Sequence, residues 1–241
     1  MQYFFTGLQL LNTKGLRRFV LIPLMINLVL FSSAFFYLLG FVQDWVQTIM
    51  AYIPSWLSFV EYLLYPLLIL FVVLSMAFTF TMIANIIAAP FNGLLSEKVE
   101  QHLTGQALPE QGVTGFIKDL PRLLGREWRK ILYCLPRAIV FFIAAFMLPV
   151  IGQLLWLLFT SWMMAIQYLD YPYDNHKVSF DAMRADLREH WGRSYSFGMT
   201  VAVISMVPFV NLLVMPVAVC GATAMWVDHH RSQYKTAVTQ G

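Results

Sequence analysis

Of 241 residues, 59% are hydrophobic and only 12% are charged, against about 25% charged in a soluble domain, so an ordinary water-soluble fold is excluded. A net charge of +3 is too small to point to nucleic acid. The two cysteines, Cys134 and Cys220, give neither a disulfide framework nor metal-ligand spacing, and in apolar surroundings they read as small packing groups.

The charges are unevenly placed. Residues 19–43, 62–96, 138–169 and 194–227 contain no Asp, Glu, Lys or Arg, and each run exceeds the roughly 20 residues a spanning helix needs. Backbone groups in lipid must pair internally, which favours helices. Runs such as Leu67 to Leu74 do not alternate, which argues against a β-barrel. The expected fold is an all-α integral membrane protein in one membrane domain, 1–241. It has two long transmembrane helices, two Pro-broken helical hairpins that are partly inserted or short spans, and a polar cytoplasmic helical part.

In chain order, residues 2–11 are apolar, with Tyr3, Phe4, Phe5, Leu8, Leu10 and Leu11, and suit the membrane interface. A cleaved signal peptide over 1–34 is disfavoured because the apolar run continues to Val42. Asn12-Thr13 offers an N-cap and Gly15 a backbone break, with helix one expected over 16–41. Residues 44–61 form a connection carrying the interfacial anchors Trp45, Tyr52, Trp56 and Tyr62. Helix two is expected over 61–89, on the order of 40 Å long, ending or kinking at Pro90.

Residues 97–137 are the polar part. Thr104-Gly105, Pro109 and Gln111-Gly112 read as a loop. From Pro121 the pattern is helical, with Leu120, Leu123, Leu124, Trp128, Ile131 and Leu135 on one side and Arg122, Arg126, Arg129 and Arg137 on the other. This suits an amphipathic helix entering the membrane from its surface. The runs 138–169 and 194–227 are each broken near the middle, at Pro149-Val150-Ile151-Gly152 and Pro208-Phe209-Val210-Asn211, and read as two related hairpins. Between them, Phe180, Met183, Leu187 and Trp191 predict a surface helix over 178–191. No Lys or Arg lies in 44–61, so the positive-inside rule puts both termini and the polar loops in the cytoplasm.

Several segments can carry chemistry. Lys14-Gly15-Leu16-Arg17-Arg18 precedes a helix, whose unpaired N–H groups and positive dipole end attract oxyanions. Two arginines add forked donors, although flanking charge at a first span accounts for the same spacing. Asn92 can donate to an anion through its NH₂ or simply form a turn after Pro90. Glu127 falls close to the apolar side, where a carboxylate needs a cation or water, so it either snorkels or joins an internal pair. The basic stripe reads as a lipid-headgroup contact or as an anion attractor. Arg231, past the last apolar run, reads as a dispensable charge. His102, His176, His190, His229 and His230 lack zinc spacing, so no metal is expected. No phosphate-binding Walker loop and no catalytic constellation can be assembled, so no enzyme and no cofactor are expected.

Gly15-Leu16-Arg17-Arg18-Phe19 with Pro23, Ala84-Asn85, Ala88-Ala89-Pro90-Phe91-Asn92-Gly93-Leu94-Leu95, Pro121-Arg122 and Arg126-Glu127-Trp128 together resemble the CysZ family of sulfate permeases. Ala165 to Tyr168, Asp170-Tyr171-Pro172, Asp174 to Lys177 and Met215 to Trp226 extend the likeness over nearly the whole chain in order. The resemblance implies sulfate entry across the bacterial inner membrane for cysteine biosynthesis, by a homo-oligomer in contact with membrane lipid. It implies sulfate binding at Gly15, Leu16, Arg17 and Arg18, and raises Asn92, Glu127 and Arg129 as candidates for conduction or gating. Passive conduction is favoured over a proton-coupled carrier because the four uncharged runs hold no carboxylate. Asn27, Asn85, Gln153, Gln167 and Asn211 are candidates to line a path, whereas Ala218 and Ala222 read as helix packing. A scaffold without a conducted substrate and a lipid-modifying enzyme are the readings from other classes.

Overall fold

The structure, a computed structural model, describes residues 1–13, 15–106 and 113–238, with backbone alone at 78, 80–90, 113–118, 120, 208, 209, 212 and 235–238. Its elements are helical: α1 (Gln2–Leu11), α2 (Arg18–Gly40), α3 (Val42–Met50), a 3₁₀ turn (Ser55–Leu57), α4 (Val60–Thr104), α5 (Val113–Met147), α6 (Ile151–Asn175), α7 (Phe180–Glu189), α8 (Trp191–Ser205), α9 (Pro208–His229) and α10 (Arg231–Val238). Arg18–Met50, Val60–Ala77 and Pro121–Met147 are each long and apolar enough to cross a membrane. The chain is an all-α membrane protein.

It divides into two compact units, one of 1–17 with 92–241 and one of 18–91. In the 18–91 unit, α2 exposes Leu21, Ile22, Met25, Leu28 and Val29. Such a face is stable only out of water, against lipid or another protein surface. The core here is small: Val42, Val46, Val72 and Met76, with Phe35, Leu38, Leu64 and Leu68 packed around them. Half of the 44–61 connection is therefore helical. α3 buries Val42 and Val46, one turn apart, against the first part of α4.

In the other unit α9 is central, burying Val217, Ala218, Cys220, Ala222, Met225 and Trp226. Ala218 and Ala222 are packing positions, as is Cys220. α1 lies on α9. A Cβ on Gly7 would collide with the Val217 carbonyl oxygen, and one on Gly221 with that of Tyr3. Two glycines thus set how closely these helices approach. Tyr3 closes the contact, its hydroxyl lying 3.0 Å from an Asp228 carboxylate oxygen and 2.7 Å from His229 Nε2. α6 packs on α5, α8 and α9.

Both hairpin breaks fall where proline placed them. The first lies between α5 and α6 with Val150 at φ 68, and the second lies between α8 and α9, with Pro208 opening α9. Three boundaries differ from expectation. α4 does not end at Pro90 but continues to Thr104. An interior proline costs about 3 kcal/mol, and the stretch beyond it is anchored by buried Leu95, Ser96, Val99 and Glu100. α5 starts at Val113 and carries Pro121 and Pro136 inside it. α7 is more than a surface helix. Ser179 caps it by accepting from the Ala182 N–H at 3.2 Å, and Phe180, Met183, Asp186 and Leu187 are buried. Trp191 is exposed and opens α8.

Candidate functional site

Helix α1 stops at Leu11, where the Asn12 N–H donates to the Gln9 carbonyl at 3.1 Å. Asn12 therefore closes α1 instead of capping helix one, and α2 begins at Arg18 rather than residue 16. Gly15 has φ +100 with open space around it. Its requirement is conformational, since L side chains rarely adopt that region. Leu16 is buried and donates its N–H to the Thr13 carbonyl at 3.3 Å. Gly15 and Leu16 thus shape the turn. Arg17 is exposed, and its Nη2 donates to the Asn12 carbonyl at 3.1 Å and to the Asn12 side-chain oxygen. Arg18, also exposed, sets its guanidinium 5.0 Å from the Phe19 ring centroid. As the first residue of α2, it stands where helix N–H groups lack intrahelical partners. Arg17 and Arg18 belong to different units. Lys14 lies outside the described residues.

Asn92 is neither a turn residue nor an exposed donor. It lies within α4, buried, with Nδ2 3.3 Å from the Tyr171 hydroxyl and 3.2 Å from Met215 Sδ. Its NH₂ is committed inside the protein. Ser96 and Glu100 follow at helical spacing and are also buried. Ser96 accepts from the Thr223 hydroxyl at 2.9 Å. Glu100 holds His176 Nε2 at 2.9 Å and Arg231 Nε at 2.7 Å. Arg231 is therefore not a dispensable charge. It pairs with a wholly buried carboxylate and also donates to Gln106 Oε1 at 2.9 Å. The spacing of Asn92, Ser96 and Glu100 is the sequence signal that would have revealed this polar stripe.

The amphipathic α5 presents its faces in the opposite sense to a soluble helix. Leu124, Trp128, Ile131, Leu132 and Leu135 are exposed, while Arg126 and Lys130 are buried. The inward basic groups meet carboxylates of α6. Arg126 Nε donates to Asp170 at 2.8 Å, and its Nη1 reaches Asp174 at 3.4 Å and also donates to the Val178 carbonyl. Arg122 Nη2 donates to Asp174 at 3.1 Å, and Lys130 Nζ lies 2.9 Å from Asp170. Arg122 and Arg126 are thus not headgroup contacts. Asp119 extends the series at the surface, where a hydrogen bond from Lys177 lowers its carboxyl below the usual range.

Glu127 joins this ladder only at its exposed edge, through Lys130, and Arg129 stands outside it. The Glu127 side chain is 56% exposed and touches the Lys130 ammonium. Arg129 is exposed. Arg137 donates to the Tyr133 carbonyl at 2.6 Å and lies over the Tyr133 ring. Of the path-lining candidates, Gln153, Gln167 and Asn211 are exposed, and the Asn27 Oδ1 is buried without a partner among the described residues. The Asn85 side chain is outside the described residues.

In the ladder, Arg122, Arg126 and Lys130 are matched by Asp170, Asp174 and Glu127, so it offers no net positive charge to an anion. The exposed cations Arg17, Arg18 and Arg129 remain accessible to one.

A family model described as sulfate transporter CysZ/etoposide-induced protein 2.4 matches residues 3–216. A sulfate transporter CysZ of Pectobacterium atrosepticum is 50% identical over 236 residues, covering 96% of this chain and 86% of its own length. One from Vibrio cholerae is 49% identical over 236 residues, covering 96% of this chain and 94% of its own. One from Vibrio parahaemolyticus is 48% identical over 235 residues, covering 96% and 95%.

Proposed function

This chain belongs to the sulfate transporter CysZ/etoposide-induced protein 2.4 family, and on that premise we propose that it conducts sulfate passively across the bacterial inner membrane for cysteine biosynthesis. The observation that carries the reading is near-half identity along 96% of the chain to proteins named as sulfate transporters. The family is one of transporters rather than enzymes. Both termini face the cytoplasm in this reading, and the chain works as a homo-oligomer embedded in lipid.

Sulfate is doubly charged and strongly hydrated, so it is held only where donors replace lost water. Arg17 and Arg18 are exposed and supply such donors. Gly15 and Leu16 give the turn that presents them. Asn92, with its amide engaged by Tyr171 and Met215, acts as a positioning residue. Glu127 and Arg129, on the exposed part of α5, are the remaining candidates for gating. Passive conduction is supported by the absence of carboxylates from the uncharged runs, and by Asp170, at the edge of one, being paired with both Arg126 and Lys130.

Uptake of radiolabelled sulfate into proteoliposomes tests this. Flux is expected to follow the sulfate gradient and to be unchanged by an imposed proton gradient. Proton-dependent flux makes the protein a coupled carrier, and no flux defeats the transport reading. A well-formed charge-assisted contact is worth about 1.5–3 kcal/mol, so Arg17→Ala or Arg18→Ala should weaken sulfate binding roughly 10- to 150-fold. Arg17→Lys keeps the charge but loses the fork and should fall between. Arg188→Ala, an exposed cation on α7, is the control. Unchanged calorimetric affinity in folded Arg17→Ala/Arg18→Ala protein would remove these arginines from the site.

A further inference from the structure

Helix α7 carries Asp186 and His190 one turn apart, and His230 follows the end of α9. Their ligand atoms lie within 4.8 Å of one another. His190 Nδ1 is 3.0 Å from one Asp186 carboxylate oxygen, and His230 Nδ1 is 3.0 Å from the other. The second oxygen also accepts from the Tyr173 hydroxyl at 2.6 Å and the Tyr234 hydroxyl at 3.3 Å. His190 Nδ1 lies 3.2 Å from the Asp186 carbonyl as well. His230 is wholly buried and makes its polar contact on the Nδ1 side, its Nε2 being without a partner among the described residues.

We propose that Asp186, His190 and His230 form a binding site for a divalent cation of the zinc class. Two imidazoles and one carboxylate whose ligand atoms lie within 4.8 Å of one another are a donor set that suits zinc and its borderline neighbours. The Tyr173 and Tyr234 hydroxyls supply outer hydrogen bonds to the ligating carboxylate, as such sites require. Aromatic rings close the site. Tyr173 packs on Trp226 at 4.3 Å between centroids, and Trp226 stacks on Tyr234 at 5.4 Å and on His230 at 6.2 Å. This wall limits water and keeps the local dielectric low.

Spacing along the chain hides the set, because His230 lies far from the pair on α7 and joins it only when α9 packs. A cation there ties α7 to the α9–α10 junction, with the Tyr173 bond bringing in α6. It is a structural staple, remote in sequence from the arginines proposed to bind sulfate.

The test uses the full chain, purified in detergent and stripped by chelator, then titrated with Zn²⁺ or Co²⁺ chloride. One ion per chain is expected, with a rise in melting temperature and visible Co²⁺ absorption bands. Loss of an outer partner costs about 10- to 100-fold in metal affinity, so Asp186→Asn and His190→Gln should cost at least the upper figure. His102→Gln, at an exposed position, should leave affinity unchanged. His190 is only partly buried, so His190→Gln decides the matter if Asp186→Asn does not fold. The absence of saturable one-to-one binding overturns the proposal and leaves a hydrogen-bonded hub only. So does equal affinity in His190→Gln and His102→Gln. Sulfate flux is not the readout, so failure here is separate from failure of the transport reading.

Discussion

Lys130 contacts two carboxylates in different surroundings. Asp170 lies 2.9 Å away with its side chain 6% exposed, whereas the Glu127 side chain is 56% exposed. Asp170 also takes Arg126, so its removal leaves buried Arg126 with only the more distant Asp174, at 3.4 Å, and buried Lys130 with only the exposed Glu127. Breaking a buried pair costs about 3–5 kcal/mol. An exposed ion pair contributes about 0–1 kcal/mol, and loss of Glu127 leaves Lys130 paired with Asp170. Asp170→Ala is therefore expected to lower the denaturation midpoint sharply in detergent, and Glu127→Ala hardly at all. Similar shifts in the two variants would show that the ladder is not held by Asp170. The helical wheel placed Arg122 and Arg126 together correctly, but it could not say which side faces inward. In water the polar side faces out. In lipid the exposed side must be apolar, so the charged stripe turns to the protein and finds Asp170 and Asp174.

Elements were legible where local chemistry decides them. Pro149 and Pro208 mark the two hairpin breaks. The same chemistry misled where tertiary contacts outweigh it. Pro90 reads as a stop or a kink, and the stop is overridden because Leu95, Ser96, Val99 and Glu100 are all buried beyond it. Asn12-Thr13 reads as the start of a helix and instead lies just beyond the end of α1. For α1, nothing local shows its partner. The pairing of Gly7 with Gly221 across α1 and α9 sets that partner. A methyl at Gly221 would meet the backbone of Tyr3, which moves only if α1 moves. Overpacking of this kind costs about 1–3 kcal/mol. Gly221→Ala should lower the melting temperature and speed amide exchange in α1. Gly125→Ala, in α5 with nothing within 4 Å of the new Cβ, should be neutral or stabilising by up to about 1 kcal/mol. Unaltered exchange in α1 of Gly221→Ala would mean that the two helices are not held by this contact.

At the scale of the whole chain, charge placement carries information that no single helix does. All 16 Lys and Arg residues lie outside 44–61, and that segment joins the first two apolar spans, Arg18–Met50 and Val60–Ala77. Moving cations across a bilayer is costly, and the bias of Lys and Arg in short loops sets orientation. The 44–61 segment should therefore face outward, while the Lys- and Arg-bearing segments at 14–18, 98–137, 177–193 and 231–235 remain in the cytoplasm. Two exposed positions distinguish this arrangement from its inverse, Ser55 in the 3₁₀ turn and Asp181 on α7. The background must lack native thiols, so Cys134 and Cys220 are first replaced by serine and alanine. In intact cells a membrane-impermeant maleimide should then label Ser55→Cys and spare Asp181→Cys. After permeabilisation both should react. Labelling of Asp181→Cys but not Ser55→Cys in intact cells would invert the orientation and place the exposed Arg17 and Arg18 on the outer side, where they would meet sulfate before transport rather than after it.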